Sequence, residues 1–122
     1  MMRFMMIYKP ADAKKMEASV PPTQQEMAQM GEFIGEMAKA GVLLAADGLQ
    51  ASANGARVRL SGGKLTVTDG PFTETKELIA GFAIVQVKSK AEAIEWARRF
   101  LALAGDGESE IRLMHDVAAF AA

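Results

Sequence analysis

The hexapeptide RFMMIY, residues 3–8, decides the fold of this chain. Side chains alternate between the two faces of a β-strand, so Phe4, Met6 and Tyr8 share one face. Met5 and Ile7 share the other face, which makes both faces apolar. A strand of this kind is covered on both sides. The hexapeptide therefore predicts a strand in a sheet that needs a packing layer on each face.

A second strand repeats this pattern over Ile79–Val87. Its odd-numbered and its even-numbered positions are both mainly apolar, so it too has two faces to cover. Shorter apolar runs predict two further strands, at Val42–Ala46 and Glu110–Val117. We therefore expect these strands to form one sheet, in which two strands are apolar on both faces.

Residues Thr23–Ala40 carry the pattern of an amphipathic helix. Thr23 and Glu26 match the capping box, in which each side chain accepts a hydrogen bond from the backbone amide of the other residue. The predicted buried stripe comprises Met27, Met30, Ile34, Met37 and Ala38. Gly41 suits the left-handed cap that ends a helix. The small and polar stretch before this helix, Ala11–Val20, is predicted to be a loop.

A second helix is predicted over Ser89–Ala104. Ser89 and Glu92 repeat the capping pattern. The expected buried stripe comprises Ala93, Ala97, Phe100, Leu101 and Ala104. Gly105-Asp106-Gly107 ends the helix, because glycines favour the turn that follows one.

Between the helices, Arg57–Leu60 and Lys64–Thr68 predict a β-hairpin. Both segments alternate apolar and polar residues, and Ser61-Gly62-Gly63 supplies the positive-φ residues of a tight turn. The hairpin is expected to bury its apolar face and to expose its polar face to water.

The order of elements predicts an α+β protein of the ferredoxin-like type, with an antiparallel sheet and this inserted hairpin. Two helices cover only one face of such a sheet, although two of its strands are apolar on both. At about 25 cal/mol per Å², burying ~600 Å² of apolar surface per subunit stabilises an assembly by on the order of 15 kcal/mol, before the entropy cost of ordering is subtracted. We therefore predict a homodimer whose sheets face each other as an α+β barrel. The alternative is a monomer whose inserted loops cover the second face.

Composition narrows the class of protein. The chain has 122 residues, which corresponds to a single domain over residues 1–122. It has no cysteine, which excludes disulfides and thiolate chemistry, and its formal net charge of −1 argues against a nucleic-acid binder. No apolar run is long enough to span a membrane, and the N-terminal apolar run lacks the features of a signal peptide. We expect a cytoplasmic protein with no membrane partner.

The stretch TDGPFTETKE, residues 68–77, is the candidate site. Gly70 and Pro71 make the loop rigid, because Pro71 fixes its own φ and restricts the residue before it. Asp69, held at a set angle near Lys76 and an apolar wall, is the candidate general base. The candidate ligand-binding residues are Tyr8, Gly70, Pro71, Phe72, Glu74 and Lys76. The alternative is that Asp69 caps a turn, Phe72 anchors it and the other charges are solvated.

No metal and no cofactor are predicted. His115 is the single histidine of the chain. Asp116 is adjacent to it and would point to the opposite face of a strand, so the two side chains cannot bind the same metal ion. His115 is expected at the surface or at an interface, and proton transfer near neutral pH is the alternative role.

The loop, followed by Gly81-Phe82 and Ala93-Ile94-Glu95-Trp96-Ala97, strongly resembles the DGPF-domain proteins of the YCII-related superfamily. The resemblance extends over nearly the whole chain. It implies a dimeric ferredoxin-like barrel with the Asp69 loop at the edge of a cleft, and it implies no established reaction. Many such proteins are encoded beside extracytoplasmic-function sigma factors, which implies a regulatory link. Better-studied YCII-like relatives carry a proposed catalytic histidine in the first helix, and Thr23–Ala40 contains none.

Three functions follow as hypotheses. The first is a binder of an unidentified small molecule in a cleft beside the Asp69 loop, with metal-independent acid/base chemistry in which Asp69 is the base. The second is a non-catalytic regulatory partner of an extracytoplasmic-function sigma factor or of another regulator. The third is a ligand-sensing accessory protein, which combines the two.

Overall fold

The computed structural model describes residues 1–73 and 78–116. The elements are, in chain order, β1 (Met2–Pro10), α1 (Ala13–Glu17), α2 (Gln24–Lys39), β2 (Leu43–Gly48), a 3-10 turn (Ser52–Asn54), β3 (Ala56–Ser61), β4 (Lys64–Asp69), β5 (Gly81–Val87), α3 (Lys90–Ala104) and β6 (Gly107–Leu113). The four predicted sheet strands, both long helices and the hairpin are confirmed, with shifted ends. Val117, the predicted end of the last strand, lies outside the described residues.

Four strands form one antiparallel sheet in the order β2-β5-β1-β6. The two strands that are apolar on both faces, β1 and β5, are at its centre. Strands β3 and β4 form a separate two-stranded sheet. The chain is thus an α+β protein with an antiparallel sheet, and its order is compatible with the ferredoxin-like plan.

Both long helices pack on the same face of the sheet. Phe4 lies opposite Val85 in the register of β1 and β5, and both side chains are buried in the core. The helices add Phe33, Met37, Ala93 and Ala97 to that core. The opposite face, called the open face below, carries the neighbouring pairs Met5 with Ile84 and Ile7 with Phe82. Those four residues are half-buried and do not belong to the core.

The helix ends follow the chemistry of their caps. Thr23 Oγ1 accepts from the Glu26 amide at 3.1 Å, and Glu26 Oε1 accepts from the Thr23 amide at 3.1 Å, so the capping box is confirmed. Ser89 caps α3 in the same way, whereas Glu92 accepts from the Lys88 amide instead of the Ser89 amide. Gly41 has φ +73° after α2, as predicted.

The predicted buried stripe of α2 was right for Met37 but wrong at its two ends, and it omitted Phe33. Phe33 and Met37 are the buried residues of this helix, while Met27 is 55% exposed and Ala38 is exposed. Phe33 is four residues before Met37, so the two share a face. The buried face is therefore rotated towards Phe33, whose ring packs 6.0 Å from the ring of Trp96 on α3.

The prediction of a loop over Ala11–Val20 was also wrong, because the stretch contains α1. Asp12 caps this helix by accepting from the Lys14 amide at 3.2 Å, and Ala13 is buried. A helix of five residues is too short to be stable in isolation or to show a helical repeat. Tertiary packing therefore decides its formation.

Candidate functional site

An apolar cleft lies between α2 and the helix-covered face of the sheet. It has a volume of about 320 Å³, at the lower end of the range for small-molecule sites. Most of its wall is made of large flexible or aromatic side chains, including Met6, Met30, Phe33, Ile34, Met37 and Phe100. The arrangement suits a small apolar molecule.

Tyr8 is the main polar group in this cleft. It stands near the end of β1, and its ring packs edge-on against Phe100 with centroids 5.2 Å apart. Burial raises the pKa of the Tyr8 hydroxyl, and the carboxylate of Asp106 raises it further. The hydroxyl therefore stays protonated at neutral pH and is a hydrogen-bond donor, not a base.

Few charges line the cleft. Among the described residues of its wall, Asp47 is the ionisable group besides Tyr8, and Ser109 adds a hydroxyl; no Lys, Arg or His is present there. A carboxylate ligand would meet no opposite charge in this part of the wall. Asp47 is paired with Phe82 in the sheet, so its carboxylate is on the side of the open face, and the wall of the cleft favours a neutral ligand.

The candidate loop is held by its backbone. The Gly70 amide donates to the Gly55 carbonyl at 3.0 Å, and the Phe72 amide donates to Ser52 Oγ at 2.9 Å. A Cβ on Gly70 would lie 1.7 Å from the Ser52 carbonyl oxygen, so the loop and the 3-10 turn are in direct contact. Space, and not an unusual φ, is what requires glycine here.

Ser52 is the centre of this anchor and is 8% exposed. Its amide donates to Glu17 Oε1 at 3.0 Å, and its hydroxyl donates to Glu17 Oε2 at 2.5 Å. The same hydroxyl accepts from the Phe72 amide. These hydrogen bonds join α1, the 3-10 turn and the loop. They also hold the pKa of Glu17 below its usual range.

Sequence reasoning missed both Glu17 and Ser52. Glu17 lay in the predicted loop, and Ser52 lay in a small polar stretch without a motif. The two residues are 35 positions apart, so no local spacing links them.

Phe72 packs against a cation. The guanidinium carbon of Arg57 on β3 lies 3.9 Å from the centre of the Phe72 ring, within the range of a cation–π contact. Phe72 therefore fastens the loop to the hairpin base, which agrees with the anchoring alternative.

The predicted site residues fall into separate places. Tyr8 lines the cleft, whereas Asp69, Gly70, Pro71 and Phe72 are not among its lining residues. Glu74 and Lys76 lie outside the described residues. Asp69 is exposed and its backbone pairs with Ala56 at the base of the hairpin. Its role as a base stays a prediction.

The described residues form neither a metal site nor a membrane-spanning helix. Within residues 1–73 and 78–116, no three His, Asp or Glu side chains are grouped so that they could hold a metal ion. His115 is exposed, and its carbonyl accepts from the Arg3 guanidinium at 2.9 Å. In the same part of the chain, no helix combines the length and hydropathy of a membrane span.

The anchor has a testable pH dependence. Folding lowers the pKa of Glu17. The contribution of its carboxylate to the free energy of unfolding is therefore complete above the ordinary glutamate pKa of about 4.3 and is lost as the pH falls below that value. Glu17→Gln is expected to lower the unfolding free energy near pH 7 and to differ less from the parent protein near about pH 3. Urea unfolding at both pH values measures this.

Glu32→Gln is the matched control, since Glu32 is an exposed glutamate on α2. Its difference from the parent protein should be small at neutral pH. A difference between Glu17→Gln and the parent that is the same at both pH values would contradict the assignment.

A family model described as "YCII-related domain" matches residues 2–114. A comparison with curated proteins found no match.

Proposed function

We propose, from the premise that this chain belongs to the YCII-related domain family, that its cleft between α2 and the sheet binds a small, neutral, apolar molecule. The observation that carries this proposal is the apolar wall of the cleft, with the hydroxyls of Tyr8 and Ser109 as its neutral polar groups. Small-molecule sites combine these same properties, in which apolar walls give affinity and a few polar groups give orientation.

The chemistry of the wall narrows the ligand. Thioether and aromatic groups such as Met37 and Phe100 pack well against flat or flexible apolar molecules. The Tyr8 hydroxyl donates a long hydrogen bond of 3.5 Å to the Asp106 carbonyl, and a ligand oxygen or nitrogen at a shorter distance would replace that acceptor. A neutral ring compound that carries one acceptor satisfies these conditions.

The proposal also includes assembly as a homodimer through the open face. The pairs Met5 with Ile84 and Ile7 with Phe82 give that face an apolar centre, and neither long helix covers it. Apolar patches of several hundred Å² on a protein surface mark interaction sites. The sigma-factor partner and the acid/base role of Asp69 stay predictions.

A filled cleft tests the ligand proposal. Ile34 lines the cleft and is 36% exposed, so Ile34→Trp should occupy the space without burying strain in the core. We expect the neutral fluorophore N-phenyl-1-naphthylamine to bind the parent protein saturably. We expect Ile34→Trp to raise its Kd at least about tenfold, because the added indole takes the ligand's apolar contacts. Fluorescence titration measures both.

Ile94→Trp is the control, because Ile94 is on α3, is 49% exposed and does not line the cleft. Its Kd should equal that of the parent protein. 1-Naphthoate should bind more weakly than the neutral probe, because the described wall offers it no cation. Equal binding by both tryptophan variants would overturn the proposal.

A further inference from the structure

The hairpin carries an apolar surface that no other part of residues 1–73 and 78–116 covers. Val58, Leu60, Leu65 and Val67, called the hairpin stripe, are 67%, 71%, 63% and 61% exposed. An isolated large apolar residue at a surface is ordinary, but four adjacent ones form a patch. The apolar face of the hairpin, which was predicted to be buried, is therefore exposed in a single copy of the chain.

The register of the hairpin places these four side chains together. Val58 is opposite Val67 and Leu60 is opposite Leu65, so the two pairs are neighbours on one face. Arg59 is opposite Thr66 at the position between them and so lies on the other face. One face of the hairpin is thus apolar and its other face is polar.

The hairpin has little support from its own chain. Apart from their pairing with each other, neither β3 nor β4 packs extensively against a described helix or strand. A two-stranded hairpin alone is at best marginally stable in water. Its base, however, is fixed by the Gly70–Gly55 hydrogen bond and by the contact of Arg57 with Phe72. The stripe is therefore held in a defined direction and is open to a partner.

We propose that a second copy of this chain covers the hairpin stripe, as an extension of the proposed dimer interface on which this inference rests. The four side chains offer roughly 400 Å² of apolar surface per copy, which is about the largest exposed patch tolerated on a monomer. Two stripes bury less than the ~1,200 Å² that a stable interface requires. The open face supplies the remainder, so one partner accounts for both apolar surfaces.

This assembly would also affect the predicted site. Asp69 is two residues from Val67 on β4, so its side chain is on the same face as the stripe. A partner that covers the stripe would bring its own surface to the border of Asp69. The candidate base would then belong to a site shared by two copies.

The test is sedimentation of the full chain over a range of concentrations. Leu60→Thr/Leu65→Thr makes the stripe polar and keeps residues that favour strands. We expect this double variant to raise the dimer Kd at least about 100-fold, because each dimer loses four leucine contacts. Arg59→Thr, on the polar face, is the control and should leave the dimer Kd within about threefold of the parent value.

The outcomes separate this inference from the proposed dimer. A parent protein that is a dimer, with an equally tight dimer in the double variant, overturns the inference and leaves the sheet-face dimer standing. Loss of the dimer in both Ile84→Lys and the double variant supports the inference, whereas a dimer that survives Ile84→Lys overturns pairing through the open face and the shared interface on which the inference rests. A monomeric parent protein overturns both, and a different protein would then be the occupant.

A second measurement covers the case of a variant that does not fold. Amide exchange over residues 57–60 and 65–68 of the parent protein should be at least about tenfold slower in the dimer than in the monomer. Equal exchange in both states overturns the inference.

Discussion

Replacing Phe33 by alanine is expected to lower the free energy of unfolding by about 3–5 kcal/mol. Phe33 is 5% exposed and its ring packs against Trp96 and Phe100, at centroid distances of 6.0 and 6.4 Å. The Arg99 guanidinium lies 5.4 Å from the centre of the same ring and also pairs with Glu36. Removal of the ring therefore leaves a cavity where α2, α3 and the sheet meet.

Met27→Ala is the control on the same helix. The sequence pattern includes Met27 in the buried stripe, whereas the structure leaves it 55% exposed. Its replacement should change the unfolding free energy by no more than about 0.5 kcal/mol. Urea unfolding of both variants decides between the two stripes, and a larger loss for Met27→Ala would show that the observed face is wrong.

Replacing Gly70 by alanine is expected to cost about 2–3 kcal/mol, the second large effect. The new Cβ would lie 1.7 Å from the Ser52 carbonyl oxygen and 2.5 Å from its carbonyl carbon. Both atoms belong to the backbone, so they cannot swing away as the end of a side chain can. The loop must therefore move off Ser52 and lose its hydrogen bonds to Gly55 and Ser52.

Gly31→Ala gives the opposite sign for the same chemical change. Gly31 is inside α2, and a Cβ there would have no neighbour within 4 Å. Alanine should therefore stabilise the helix by about 0.5–1 kcal/mol. Thermal and urea unfolding measure both variants. If Gly70→Ala were as stable as the parent protein, the close contact between the loop and the 3-10 turn would be refuted.

Phe33→Ala and Gly70→Ala also distinguish effects on stability from effects on ligand binding. Phe33 lines the cleft, so Phe33→Ala should alter probe binding as well as stability. Gly70 does not line the cleft, so Gly70→Ala should leave probe binding unchanged while the protein stays folded. A change in binding in the Gly70 variant would indicate that the loop and the cleft form one site.

The secondary structure could be predicted wherever its cause is local. The capping box of Thr23 and Glu26 acts over three residues, and the positive φ of Gly62 and Gly63 serves a turn between adjacent strands. The alternation of β1 also predicts its two apolar faces, because the period of a strand is two residues. These features need no knowledge of the rest of the fold.

Tertiary structure decided the rest of the candidate site. The amino-acid sequence by itself determined the strands, the long helices and the existence of an apolar face without a helix to cover it. It did not determine that Phe33 is at the centre of the core, or that Ser52 joins Glu17, 35 positions away, to Phe72, 20 positions away. The physical reason is that spacing and cap chemistry report on neighbours within a few residues. Contacts across the fold depend on how the finished elements pack against one another.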